Sequence, residues 1–233
     1  KVVPYGAARA VEQAITPNTA AVMLEPIQGE GGVLIPQEGY LKQVSEICKA
    51  NNVLFIADEI QTGLGRTGKL FASDHEGVRP DMVVIGKALS GGFYPVSAVP
   101  ADQPGVGLFT AREEGSALGG NPLAAAVARA ALRVIVEEKL VENAASVGEY
   151  FLEHLAEINS PHIQEVRGRG LLIGVELKPS AGGARRFCEN LQKEGVLAKE
   201  THENVIRFAP PLIIDRETVD WALPKIRSTL LMP

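Results

Sequence analysis

The chain has 233 residues, 45% of them hydrophobic and 22% charged, with a formal net charge of -5 and a pI near 5.5. This composition excludes a disordered polar chain and, with no run of lysines or arginines, gives no electrostatic surface for nucleic acid or anionic lipid, so small molecules and proteins are the expected partners. No apolar stretch reaches bilayer-spanning length, Lys1-Val2-Val3-Pro4 lacks the regions of a signal peptide, and Cys48 and Cys188 make neither a disulfide framework nor a metal site, so a soluble protein of a reducing compartment, cytoplasm or mitochondrial matrix, is expected.

In chain order, Ala20 to Leu24 reads as a first strand. Tyr40 to Ala50 follows as a helix with Leu41, Val44, Ile47 and Cys48 on one face, and Val53 to Ala57 as a second strand. Both strands are apolar throughout, as expected where helices cover both faces of a sheet, and this alternation is an α/β signature. Asp81 to Ile85 makes a third buried strand, and Val96 to Val99 is a candidate fourth after a Gly/Ser/Pro-rich stretch. Gln103 to Gly120 is glycine-rich without periodicity and reads as a long loop of functional character.

Asn121 caps and Pro122 opens an alanine-rich helix to about Val136, whose small side chains suit close approach of another backbone and predict burial. A second helix, Lys139 to Ile158, sets Leu140, Ala144, Val147, Phe151, Leu155 and Ile158 on one face. The domain boundary is placed at its start, giving residues 1–138 and 139–233. Beyond it, Leu171 to Leu177 reads as a strand, Ala184 to Lys193 as a helix, and Val196 to Ala198 and Val205 to Phe208 as strands. A helix capped by Asp215 ends the chain, with Val219, Ala222, Leu223, Ile226 and Leu230 as its apolar stripe and Pro224 as an expected kink.

Two functional groups fall just past strand ends, where open α/β sheets bind ligands. Asp58 opens Asp58-Glu59-Ile60-Gln61-Thr62-Gly63, and Lys87 precedes Ala88-Leu89-Ser90-Gly91-Gly92. Alone, the first also reads as an acidic strand-end turn and the second as a solvent-facing lysine. Together they are what pyridoxal chemistry needs: an amine to form an imine with the aldehyde, and a carboxylate to keep the pyridine nitrogen protonated. Arg66, His75, Arg112, Arg167 and Arg169 read as surface or turn residues.

Four blocks occur in one order: Glu25-Pro26-Ile27-Gln28-Gly29-Glu30-Gly31-Gly32, Ala57 through Gly63, Gly86 through Gly92, and Gly119-Gly120-Asn121-Pro122. In order and spacing they resemble the class III pyridoxal-phosphate aminotransferases. Phe93 through Val99 and Val205 through Leu212 resemble the ornithine branch more than the acetylornithine or 4-aminobutyrate branches. The resemblance implies the type I fold of pyridoxal-phosphate transferases, here the carboxyl-terminal part of the large, mostly parallel-sheet domain plus a small α/β carboxyl-terminal domain. It implies a homodimer, pyridoxal 5'-phosphate as cofactor, and transfer of the δ-amino group of ornithine to 2-oxoglutarate. Lys87 would be the Schiff-base lysine and Asp58 the partner of the ring nitrogen. Gln61 would lie beside the phenolic oxygen, oriented by Glu25, and Ile60 would cover one ring face. Glu30 and Arg207 would form a switchable salt bridge that hides the guanidinium from ornithine and frees it for a second carboxylate. Without the resemblance, Glu30 and Arg207 read as a structural ion pair, and Glu25 and Ile60 as a strand-end charge and packing.

The sequence departs from the family at Gly115-Ser116-Ala117, where a threonine usually follows the serine and reaches the phosphate of the neighbouring subunit's cofactor. Losing that hydroxyl removes one charge-assisted hydrogen bond, about 1.5–3 kcal/mol, unless Ser116 or backbone N–H groups replace it. The family's phosphate loop, ring-stacking aromatic and second substrate arginine belong to an amino-terminal half expected upstream of Lys1. A chain starting at Lys1 would be expected to show little catalysis. The competing readings are another ω-amine specificity and a non-catalytic paralogue or fragment serving as a binding or dimer partner.

Overall fold

The computed structural model describes residues 1–102 and 119–233. They form two compact units, each with its own sheet.

The first unit comprises Lys1–Pro26, Pro36–Leu64 and Phe71–Glu138. Its sheet holds β1 (Ala21–Leu24), β2 (Leu54–Asp58) and β3 (Met82–Val84), parallel and in that order, with Ala57 opposite both Leu24 and Val83. Helix α1 (Ala8–Ala14) and helix α2 (Tyr40–Ala50) cover it, and the helical spacing of Leu41, Val44 and Cys48 buries them against Phe55, Val53 and Val11. The expectation that both sheet faces are covered is not met among the described residues. Phe55 and Ala57 are buried, but Ile56 is half-buried and Met23 is exposed, because α1 and α2 pack to the same core.

Two further expectations for this unit need correction. The segment 96–99 is not a strand: Ala98 meets Ile85, just past β3, in an isolated bridge, and Met82 bridges Ala101 beyond the segment. Pro100 accepts a bond from Val83 N at 3.0 Å but has no N–H to continue a ladder. The alanine-rich helix α3 (Pro122–Glu137) is formed as expected, with Asn121 Oδ1 accepting from Leu123 N at 2.8 Å, but it is not buried. Only Ala124 and Ile135 are enclosed, while Leu123 and Val136 are exposed. Its small residues do permit one close approach, since a Cβ at Gly91 would lie 3.3 Å from that of Ala131.

The second unit comprises Ile27–Ile35, Gly65–Leu70 and Lys139–Pro233. Four antiparallel strands run in the order β4 (Ile163–Arg169), β5 (Leu172–Leu177), β7 (Val205–Phe208), β6 (Lys199–Thr201). Helices α4 (Leu140–Ala156), α5 (Arg185–Lys193) and α6 (Arg216–Leu230) bury Phe151, Leu155, Phe187, Leu191, Ile226 and Leu230 against Ile173, Val175 and Ile206. Asp215 caps α6 through Thr218 N at 2.8 Å. β4 is absent from the sequence reading because Glu165, Arg167 and Arg169 break its apolar alternation. The strand expected at Val196–Ala198 lies instead at Lys199–Thr201, leaving Leu197 exposed. Mid-strand Gly174 has a local cause: Val33 packs on it, and an added Cβ would come within 3.0 Å of the Val33 Cβ.

Candidate active site

In the first unit, the ends of β2 and β3 bring the two proposed reactive positions onto neighbouring strands. Asp58 pairs with Val84, and Glu59 N donates to Val84 O at 2.9 Å, so the ladder persists to the last strand residue before Ile85-Gly86-Lys87. Asp58 is half-buried, and its Oδ1 accepts from Ile60 N at 3.1 Å, which fixes the carboxylate at the turn. Ile60 lies against the lysine's approach: a Cβ at Gly86 would stand 3.6 Å from Ile60 Cγ2. Gln61 and Glu25 are half-buried at the ends of β2 and β1.

Lys87 is exposed and opens a 3-10 turn, Lys87–Ser90, whose Ser90 Oγ donates to Lys87 O at 2.7 Å. Its φ of 41° lies in the left-handed region, which costs a side-chain-bearing residue about 1–2 kcal/mol. Strain of this kind persists only where surroundings impose it, and it concentrates at reactive positions. An exposed amine on one strand end, a half-buried carboxylate on the next and an apolar side chain between their backbones suit a pyridoxal ring in chemical type.

Sequence reasoning missed Glu59, which is 1% exposed and carries no cation among its bonds. Its Oε2 accepts from Thr62 Oγ1 at 2.5 Å and Ala72 N at 3.0 Å, and its Oε1 from Ser73 N at 2.9 Å and Ser73 Oγ at 3.0 Å. Four donors thus replace water and clamp the turn that carries Asp58, Ile60 and Gln61 to the 3-10 turn Ala72–Glu76. Tyr5 steadies the end of β1, donating to Glu25 O at 3.0 Å and Pro26 O at 2.9 Å. Burial first, then the neighbouring Tyr40, Glu25 and Glu76, hold its phenol well above the ordinary tyrosine range.

In the second unit, Gln28 and Leu34 bridge the base of a loop with Glu30 near its tip. Arg207 Nη1 donates to Glu30 Oε1 at 2.7 Å, and the arginine side chain is only 12% exposed. Glu30 O accepts from Thr201 Oγ1 at 2.6 Å, while Gly32 O and Val33 O accept from Arg167. Arg167, expected at the surface, is therefore a clamp. Its side chain is 11% exposed, and its remaining donors meet Glu165 and Glu176, because β4 lies beneath the loop. Arg66 is likewise no surface residue: it donates to Leu171 O at 3.0 Å and Pro210 O at 2.6 Å, tying the segment after β7. Burial, and then the charge of Arg207, push it down to about 10. The spacing of these arginines carried no signal, since their partners lie in distant parts of the chain.

Ser116, Ala117 and Arg112, with most of the loop expected over Gln103 to Gly120, lie outside the described residues. Among the described residues no group of three or more His, Cys, Asp or Glu could hold a metal, and no helix is long and apolar enough to cross a membrane.

The family model for aminotransferase class III matches residues 5–230, and the chain belongs to that family. It is 58% identical over 230 residues to an ornithine aminotransferase of Brevibacillus brevis and 57% identical over 230 residues to that of Bacillus subtilis, each match covering 99% of this chain. It spans 57% of the length of each of those relatives. Among solved structures, an ornithine aminotransferase from Plasmodium yoelii superposes with a TM-score of 0.95 at 45% identity, over 98% of this chain and 62% of that one. An acetylornithine aminotransferase from Elizabethkingia anophelis superposes at 0.93 with 46% identity, over 98% and 59%. The α/β fold expected from the sequence is the fold these structures share.

Proposed function

We propose that the protein to which this chain belongs is an ornithine aminotransferase, moving the δ-amino group of L-ornithine to 2-oxoglutarate and giving glutamate semialdehyde and glutamate. The observation that carries this reading is the placement of Asp58 and Lys87 at the ends of paired parallel strands. When bound, pyridoxal phosphate supplies an aldehyde that condenses with amines and a protonated ring that takes up carbanion electrons. Lys87 supplies the amine that holds the cofactor between turnovers and, once displaced, carries a proton to and from the substrate carbon. Asp58 keeps the ring nitrogen protonated, Gln61 meets the phenolic oxygen with Glu25 orienting it, Ile60 covers a ring face, and Ser116 serves the phosphate.

Residues 1–138 form part of the large cofactor-binding domain in this reading, and residues 139–233 the small domain. The Glu30–Arg207 pair supports the ornithine assignment. A two-step exchange must accept a diamine and then a dicarboxylate, and a guanidinium neutralised by a nearby carboxylate can serve both by opening and closing. We take the assembly to be a homodimer with small-molecule substrates.

The test is an absorption spectrum of the full-length, cofactor-loaded protein. Ornithine is expected to remove the visible band and 2-oxoglutarate to restore it; an unchanged spectrum with ornithine overturns the assignment. A response to N-acetylornithine and none to ornithine would move it to the acetylornithine specificity, a second reading favoured by the 46% identical structure.

A further inference from the structure

Lys199 stands directly opposite Arg207 across β6 and β7. Cross-strand partners share a sheet face, and two like charges so placed repel. Gly174, on the other side of Arg207, contributes no side chain. The Glu30 carboxylate resolves the repulsion by bridging: Oε1 accepts from Arg207 Nη1 at 2.7 Å and Oε2 from Lys199 Nζ at 3.0 Å. The two cations differ in setting, the Arg207 side chain being 12% exposed and that of Lys199 60%. The backbone carrying Glu30 is fixed by Thr201 and Arg167, so the carboxylate can leave Arg207 by side-chain rotation alone.

From this geometry we propose that Lys199 is the positioning residue of the gate. It retains the Glu30 carboxylate when Arg207 releases it, and so favours the state in which Arg207 takes a dicarboxylate substrate. The proposal rests on the reading of Arg207 as a carboxylate-binding group. With Arg207, Lys199 and Glu30 the cluster carries a net positive charge, and one incoming carboxylate neutralises it. Without Lys199, opening leaves Glu30 beside an incoming anion, and the ensemble becomes negative. A surface lysine of no consequence would show neither effect.

The experiment measures binding of glutarate, an unreactive dicarboxylate, to the full-length cofactor-loaded protein by calorimetry. Lys199→Met is expected to weaken glutarate about three- to fivefold at low salt, the scale of an exposed ion pair, with the difference shrinking as salt screens it. Lys199→Arg is expected to stay within about twofold of the parent. In a Glu30→Gln background the Lys199→Met effect is expected to fall below half, because it acts through that carboxylate. Unchanged glutarate affinity in Lys199→Met, or an equal loss in the Glu30→Gln background, overturns the proposal while leaving the gate reading intact. Unchanged affinity in Arg207→Ala would instead remove the gate reading, and the role of Lys199 with it.

Discussion

At the scale of single residues, what distinguishes this molecule is how its charged side chains are held. Glu59 is a carboxylate with no cation bonded to it among the described residues, kept by four hydrogen bonds, and each oxygen faces two donors. In Glu59→Gln one oxygen becomes an amide nitrogen facing N–H or O–H groups. Hydrogen bonds to a charged group are worth about 1.5–3 kcal/mol, so a loss of about 3 kcal/mol is expected in denaturant unfolding. Cofactor affinity should fall with it, since residue 58 shares the turn. Equal stability of the two proteins would show that the clamp is idle. Tyr5 gives a pH dependence of definite sign. Its phenol is raised in the folded chain, so the fold favours the neutral form; that contribution is complete below the ordinary value near 10 and is lost as pH rises above it. Between about pH 8 and about pH 11, Tyr5→Phe should therefore lose less unfolding free energy than the parent, and parallel curves would contradict this.

At the scale of elements, the fit of α4 against the β4–β5 turn is set by absent side chains. A methyl at Gly148 would overlap the Gly170 carbonyl, and Gly170 itself has φ 54° and stands against the backbone of Thr67 and Gly68. Neither backbone can give way without moving a helix or a strand pair. Gly148→Ala should therefore cost about 3 kcal/mol, the upper end for overpacking, whereas Ser146→Ala on the exposed side of the same helix should stay within about 0.5 kcal/mol. Thermal unfolding of both variants checks the contrast. Helices with a clean apolar stripe, such as α4 with Val147, Phe151 and Leu155, were legible in the sequence because one face meets a core. β4 was not, since Arg167 serves the Glu30 loop and, with Glu165 and Arg169, disguises a strand as a polar segment. The exposure of α3 was illegible for a related reason: alanine content states what a helix surface permits, not what covers it.

At the scale of the whole molecule, the candidate reactive positions were legible in the sequence and their support was not. Asp58 and Lys87 stood out as candidates because strand-end placement and residue type together suit one chemistry. Glu59 was passed over, and Arg66 and Arg167 were read as surface or turn residues, because they also bond groups far along the chain, 13 residues away for Glu59 and Ala72 and 144 for Arg66 and Pro210. Within the first unit Glu59 ties down the turn after β2 that carries Asp58, and within the second Arg66 and Arg167 tie down the segment after β7 and the Glu30 loop. In the proposed function Lys87 is the amine that holds the cofactor. Borohydride reduction of the full-length, cofactor-loaded protein followed by peptide mapping reads out that bond: the pyridoxyl mass is expected on Lys87, and its presence on another lysine instead would overturn the assignment.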